Sequence, residues 1–322
     1  MSEAPIIKIL TEDFAGKRLD AVLAELFPEY SRSRLKIWID EGQVLVNGEI
    51  EKPKKKMAGD EEIQLTVQTI ESELDYVAED IPLDIIHQDE SIIVVNKPAG
   101  LVVHPAAGHY TGTLLNALLH FDSSLAEIPR AGIVHRLDKD TTGLMVVARN
   151  LTSHKYLVDQ IQQHDVIREY QAVVHGVLTG GGVVDQPIGR HPHDRIKMAV
   201  RENGREAVTH YRLQERFREH SHVKVQLETG RTHQIRVHMS YLRHSIVGDP
   251  VYAGRQRIPK GATPELVKYI QSFKRQALHA WRLSFVHPEH GEDVTYEAPL
   301  PEDMQKLLSL LHADVLASKA KV

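Results

Sequence analysis

Apolar residues follow two rhythms along the start of the chain. Leu19, Val22, Leu23, Leu26 and Phe27 recur at helical spacing, and Pro28 is placed to close that helix. Ser31 suits the N-cap of a second helix running to Asp40, with Leu35, Trp38 and Ile39 inward and Gly42 ending it. The rhythm then shifts to strands. Val44-Leu45-Val46 meets Asn47-Gly48, a type I′ hairpin signal, and Ile63, Leu65 and Val67 alternate as a further strand. Later, Ile92-Ile93-Val94-Val95 and Leu144 to Ala148 read as buried strands. Thr113 caps a helix carrying Leu114, Leu115, Leu118 and Leu119, and a second helix spans Ser153 to Gln163. Tyr170 to Val174, Thr209 to Leu213 and Val223 to Leu227 are further strands. Strands outnumber helices without alternating regularly with them, which predicts an α+β fold, not a doubly wound sheet.

The stretch Glu71 to Asp80 carries five acids and no base and reads as a linker. The expected units are residues 1–75, with this acidic linker reaching to about residue 80, and residues 81–322. Net charge is −5, which argues against a nucleic-acid partner on average. Between Gln186 and Lys260, however, 15 Lys/Arg face 7 Asp/Glu, and a local basic region lets an RNA-facing surface coexist with a low pI. The absence of cysteine excludes disulfides, thiolate metal sites and a cysteine nucleophile, and fits a cytoplasmic protein. No apolar run approaches the roughly 18 residues that span a bilayer, and Met1 to Pro5 opens no secretory signal, so no membrane partner is expected.

The densest chemistry lies in His135-Arg136-Leu137-Asp138-Lys139-Asp140-Thr141-Thr142-Gly143, directly before a buried strand. Charges there are costly unless paired or used. Asp138 to Thr142 has the D-x-D-x-T spacing of dehalogenase-type phosphatases, but His135 and Arg136 interrupt the strand that should precede it, and no later acidic pair suits Mg²⁺. An aspartic-protease loop fails for want of a second copy. Gly180-Gly181-Gly182 lacks the rest of a P-loop. His191/His193 and His233/His238 have poor spacing for zinc. What remains is a reaction needing one carboxylate in a pocket of cations.

The run at 135–143 resembles the catalytic motif of the RluA-type pseudouridine synthases. Similarity continues through Asn96-Lys97-Pro98-Ala99-Gly100, Arg168-Glu169-Tyr170, Glu228 to Met239, Gly248-Asp249-Pro250-Val251-Tyr252 and Phe285-Val286-His287-Pro288, in order. Arg18-Leu19-Asp20, Ser31-Arg32-Ser33 and Val44 to Gly48 resemble the small RNA-binding domain named after ribosomal protein S four. The resemblance implies that domain followed by a catalytic domain on a mixed, largely antiparallel sheet. It implies isomerisation of uridine to pseudouridine without a cofactor or metal. Asp138 is the implied reacting carboxylate, as nucleophile or as base, with Arg236 as its ion-pair partner on a helix capped by Thr232. Tyr170 is implied to lie against the uracil, and Arg136 to fill the space of a flipped base. His135 and Arg231 are implied RNA contacts, as are Arg32, Ser33 and Lys36 on the second helix. Arg168 is read as structural or phosphate-binding, and Asp140 and Thr141 as loop supports. Pro129 to Val134, Arg190-His191-Pro192 and Lys197 to Val200 resemble the branch that modifies helix 69 of 23S ribosomal RNA. The implied partner is then large-subunit ribosomal RNA or a pre-ribosomal particle, met by a monomer. A sister branch acting on another rRNA or tRNA uridine, or a non-catalytic RNA-binding assembly factor, are the alternatives.

Overall fold

The computed structural model describes residues 5–27, 32–66, 76–105, 110–194 and 196–320, and of residues 32–34 the backbone only. It divides into two compact units, Met1–Asp75 and Tyr76–Val322.

In the first unit, β1 (Ile6–Ile9) precedes α1 (Leu19–Leu26) and α2 (Arg32–Asp40). Then come β2 (Val44–Val46), β3 (Glu49–Ile50) and β4 (Glu62–Leu65), in the sheet order β1-β4-β2-β3. Asn47 and Gly48 both have positive φ, 52° and 81°, as the type I′ turn requires. The helices bury Leu19, Val22, Leu23, Leu35, Trp38 and Ile39 against Val44, Val46, Ile63 and Leu65. Helix α1 ends at Leu26, with Phe27 as its C-cap. Pro28, Ser31, Val67 and the linker as far as Asp75 lie outside the described residues.

The second unit begins earlier than the sequence predicts. Residues 76–80, read as linker, are tied to the next helix: the Asn116 side chain donates to the Val77 carbonyl, and the Glu79 N–H donates to the Asn116 carbonyl. Charge alone could not show that these acids flank backbone that is already paired.

Its elements in order are β5 (Ile85–Gln88), β6 (Ile92–Lys97), α3 (Leu114–Phe121), β7 (Thr142–Ala148), α4 (Leu151–Gln163) and β8 (Ile167–His175). There follow β9 (Gly182–Asp185), β10 (Ile188–Arg190), β11 (Met198–Val200), β12 (Val208–Arg216), β13 (His220–Leu227) and α5 (Gln234–Tyr241). The last are α6 (Pro264–Ser272), β14 (Leu278–Val286), β15 (Asp293–Glu297) and α7 (Glu302–Lys319). Nine strands form one sheet in the order β5-β6-β7-β14-β8-β13-β12-β9, with β15 on β14, while β10 and β11 pair apart as a hairpin. Among the described strands only β7 and β14 run parallel, so the sheet is mixed and largely antiparallel. The α+β reading of the sequence holds.

Alternation along the central strands feeds two cores. Ile93, Val95, Met145 and Val147 pack on one face, and Ile92, Val94, Leu144 and Val146 on the other. That is why these strands read as continuous apolar runs. Gly143 lets β7 approach β14: a Cβ there would lie 2.2 Å from the Ala280 carbonyl oxygen. The loop 135–141 is thereby held at the head of the only parallel strand pair among the described residues.

Candidate active site

Backbone polar groups fasten the Asp138 loop from beneath. The Lys97 ammonium, 1 % exposed, donates to the carbonyls of Pro98, Leu101 and Lys139 at 2.8, 2.9 and 2.8 Å. Burial pushes its pKa down to about 7, against the opposing charges of Asp140 and Asp138. The Gln276 amide donates to the Thr141 hydroxyl at 2.9 Å, and the Thr141 N–H closes a turn onto the Asp138 carbonyl at 3.0 Å. The Asp138 backbone is therefore fixed before its side chain meets any partner.

That side chain keeps 18 % exposure, and its Oδ2 accepts from the Arg236 guanidinium at 2.9 Å. Arg236 sits on α5 and is 5 % exposed. Its other edge forks onto Asp249, at 2.7 Å from Nε and 3.0 Å across the second bond. The Asp249 carboxylate, wholly buried, also accepts the backbone N–H groups of Val251 and Tyr252. Burial works against the Arg236 charge, but the hydrogen bonds and charge of Asp249, followed by those of Asp138, outweigh it and raise its pKa above the ordinary value. A planar fork suits this double duty; a lysine could not bind one carboxylate edge-on and still reach another.

Asp138 opens on a cleft of about 740 Å³. Tyr170, 6 % exposed on β8, lines it between Val225 and Ala280 on the neighbouring strands. Burial raises the Tyr170 pKa, Arg168 opposes this and Asp138 adds to it, so the phenol stays protonated. Arg130, Arg136, Arg168 and Arg231 also line the cleft. Their field is felt at His104, which burial, Arg130 and Arg136 push down to about 4. Four arginines against the carboxylates of Asp138 and Glu228 give the cleft a cationic lining, which suits a polyanion.

The sequence matches the family described as RNA pseudouridylate synthase over residues 91–241, and the S4 domain over residues 17–63. It is 55% identical over 306 residues to Ribosomal large subunit pseudouridine synthase D of Xanthomonas campestris pv. campestris, covering 95% of this chain and 92% of that one. The chain belongs to the RNA pseudouridylate synthase family. The protein of the same name from Escherichia coli (strain K12) is 52% identical over 314 residues, 97% of this chain and 96% of that one. Among solved structures, Human RNA Pseudouridylate Synthase Domain Containing 4 superposes with a TM-score of 0.56 at 28% identity, covering 71% of this chain and 92% of that chain. The enzyme is a pseudouridine synthase with an S4 domain at its N-terminus.

Set against the sequence expectations, the fold brings Asp138, Tyr170, Arg236, Arg136 and Arg231 to one cleft, although they come from separate segments. Arg136 is exposed at the rim and makes no hydrogen bond or ion pair among the described residues. Arg231 is half-buried and spends its Nε on the Glu206 carbonyl at 2.9 Å. Arg168, 7 % exposed, donates to the Glu228 carbonyl, a structural tie that leaves it on the cleft wall. His135 also lines the cleft. Its Nε2 accepts the Val146 N–H at 3.0 Å, and burial, helped by Arg168, pushes its pKa down to about 3. The ring is therefore neutral and tied to β7. Thr232 does not cap α5; His233 stands there in a left-handed conformation, while the side-chain amide oxygen of Gln234 accepts from the Arg231 N–H and the Thr229 hydroxyl. The Asp140 carbonyl accepts from Arg275 at 3.4 Å, and its charge acts on Lys97 beneath the loop. In the first unit Lys36 is exposed on α2, and the side chains of Arg32 and Ser33 lie outside the described residues. Asp249, Tyr252 and Lys97 went unassigned in the sequence, although each stands in a segment that carried the family resemblance. The signal was present; the partner was not.

Proposed function

We propose that this pseudouridine synthase isomerises uridines of large-subunit ribosomal RNA, in the helix 69 stem-loop of 23S rRNA, with Asp138 as the reacting carboxylate. The observation that carries this is the half-open Asp138 carboxylate, paired with Arg236 at 2.9 Å on the floor of a cationic cleft. The target is supported by relatives at 52–56% identity named Ribosomal large subunit pseudouridine synthase D.

The reaction breaks the bond between uracil N1 and ribose C1′ and forms one from C5 to C1′. The proton on C5 is lost and N1 regains one, so no electrons leave the substrate. Asp138 acts at the sugar, either by attack on C1′ or by removing the neighbouring ribose proton, and both roles need it ionised. Arg236 pairs with its Oδ2 at 2.9 Å. A uridine in a stem-loop must first leave its stack. Arg136, free at the rim, fills the vacated place, since a guanidinium both stacks on bases and meets phosphate. The protonated Tyr170 offers its ring face to the detached uracil. The exposed α2 face with Lys36 adds phosphate contacts from the S4 domain. Because Asp138, Tyr170 and Arg236 come from one chain, a monomer suffices; we place it in the cytoplasm, on ribosomal RNA or a pre-ribosomal particle.

The decisive experiment maps pseudouridines in 23S rRNA from cells with and without the gene, and with Asp138→Asn in its place. Helix 69 should lose its pseudouridines in the deletion and in Asp138→Asn alike. Retained modification there in the deletion strain would remove the target; normal modification by Asp138→Asn would remove the carboxylate.

A further inference from the structure

His233 holds an unusual place. Its backbone is left-handed, φ 57° and ψ 21°, directly before α5. Histidine, like asparagine, is among the non-glycine residues that take this backbone more readily. The ring lines the cleft beside Asp138. Nδ1 lies 2.9 Å from the Tyr252 hydroxyl, and Nε2 lies 3.9 Å from Oδ1 of Asp138. Arg236 holds the other carboxylate oxygen, Oδ2.

The hydrogen-bond partners decide which nitrogen carries the proton. The Met198 backbone N–H, on the β10–β11 hairpin, donates to the Tyr252 oxygen at 2.8 Å. The Tyr252 proton then needs an acceptor. The Arg236 guanidinium, over the Tyr252 ring at 5.1 Å, only donates, so among the described side chains His233 Nδ1 is the acceptor in reach. Asp138, Arg236, Asp249 and Arg136 are the charged groups around the imidazole; burial outweighs the attraction of Asp138 and lowers its pKa, so the ring is neutral. A neutral imidazole whose Nδ1 accepts carries its single N–H on Nε2, facing Oδ1.

We propose that His233 is a positioning residue for Asp138, its Nε2–H steering Oδ1 while Arg236 fixes Oδ2. Tyr252 sets the tautomer, and through Met198 it ties that tautomer to the β10–β11 hairpin. This rests on Asp138 being the reacting carboxylate. One bond from Arg236 leaves the carboxylate plane free to swing about it; a second donor on the opposite oxygen removes that freedom. A shift of about 1 Å, or one bridging water, turns the contact into a hydrogen bond. At 3.9 Å the contact is not yet a hydrogen bond, so Oδ1 stays open to substrate while Oδ2 is held.

The test uses the full-length enzyme and follows tritium released from 5-tritiated uridine in 23S rRNA, with kcat and KM measured separately. His233→Asn and His233→Gly suit the left-handed backbone but do not reach Oδ1, whereas His233→Gln restores a donor of similar reach. Asn and Gly should lower kcat by about tenfold to a hundredfold with KM within about twofold, while Gln should recover most of the loss. Tyr252→Phe, which frees the tautomer, should fall between Gln and Gly. Parental kcat in Asn and Gly would overturn the role by reducing His233 to a backbone turn. A Gln variant as slow as Gly, or a loss confined to KM, would overturn it too. Asp138→Asn is run alongside: parental tritium release from it removes the premise about Asp138, whatever the His233 variants do.

Discussion

Two buried cations flank Asp138, and they are held in opposite ways. Lys97, below the loop, meets three neutral carbonyls, and burial pushes its pKa down to about 7. Arg236, across from it on α5, meets two carboxylates, and its pKa is raised despite similar burial. Burial alone therefore does not set the state of a cation; the charge of its acceptors does. The two sides also hold different things. Lys97 meets backbone carbonyls of the loop, and Arg236 meets the side-chain carboxylate that the loop carries.

The comparison is most sharply tested at Arg236. Arg236→Ala leaves Asp138 and Asp249 without their shared cation, and should cost about 3–5 kcal/mol of stability by urea unfolding, with tritium release lost. An Arg236→Ala enzyme that unfolds at the parental midpoint would mean the buried pair contributes nothing. Next in size, Asp249→Asn removes the fork but spares the Asp138 bond. It should cost about 2–4 kcal/mol, with product formation reduced but measurable; unchanged unfolding would contradict the ordering.

On the opposite side, Lys97→Met strands three carbonyls and should cost about 1–3 kcal/mol. Its pH dependence carries a sign. Lys97 holds its proton less tightly when folded, at about 7 against an ordinary 10.5, so the unfolded chain binds more protons between those values. The charged amine thus opposes folding fully below pH 7, and that opposition is relieved as pH rises. The parent should gain stability relative to Lys97→Met from pH 7 to 9, by no more than about 1.4 kcal/mol per unit. A flat difference would show that the carbonyls hold the ammonium charged. The smallest effect is expected far from both cations: Lys36→Ala should leave unfolding within about 0.5 kcal/mol, yet reduce the salt slope of RNA binding by about one. An unchanged slope would remove Lys36 from the RNA contact.

Much of this was legible along the chain. The Asn47-Gly48 turn, the Thr113 cap and the buried strand at Ile92 to Val95 follow from local chemistry, and the structure contains each. The charged run at 135–143 announced a site. Nothing within the motif says that the His135 ring nitrogen would be claimed by Val146 on the next strand. His233 was set aside as a poor metal ligand, and its other possible use depends on Tyr252, nineteen residues on, and on Met198 beyond it. Thr232 was a reasonable cap by residue type, but the Gln234 side chain reached the loop N–H first.

By itself the sequence determined the periodicities, the turns, the order of the elements and the supply of acids and bases, because these depend on residues a few positions apart. Only the tertiary structure decided that Arg236 would face Asp138 across 98 residues, that Asp249 would anchor it, and that Lys97 would serve the backbone instead. Ion-pair energy and pKa depend on distance and on the exclusion of water. Neither quantity exists until the sheet has closed β7 against β14 and brought α5 over the loop.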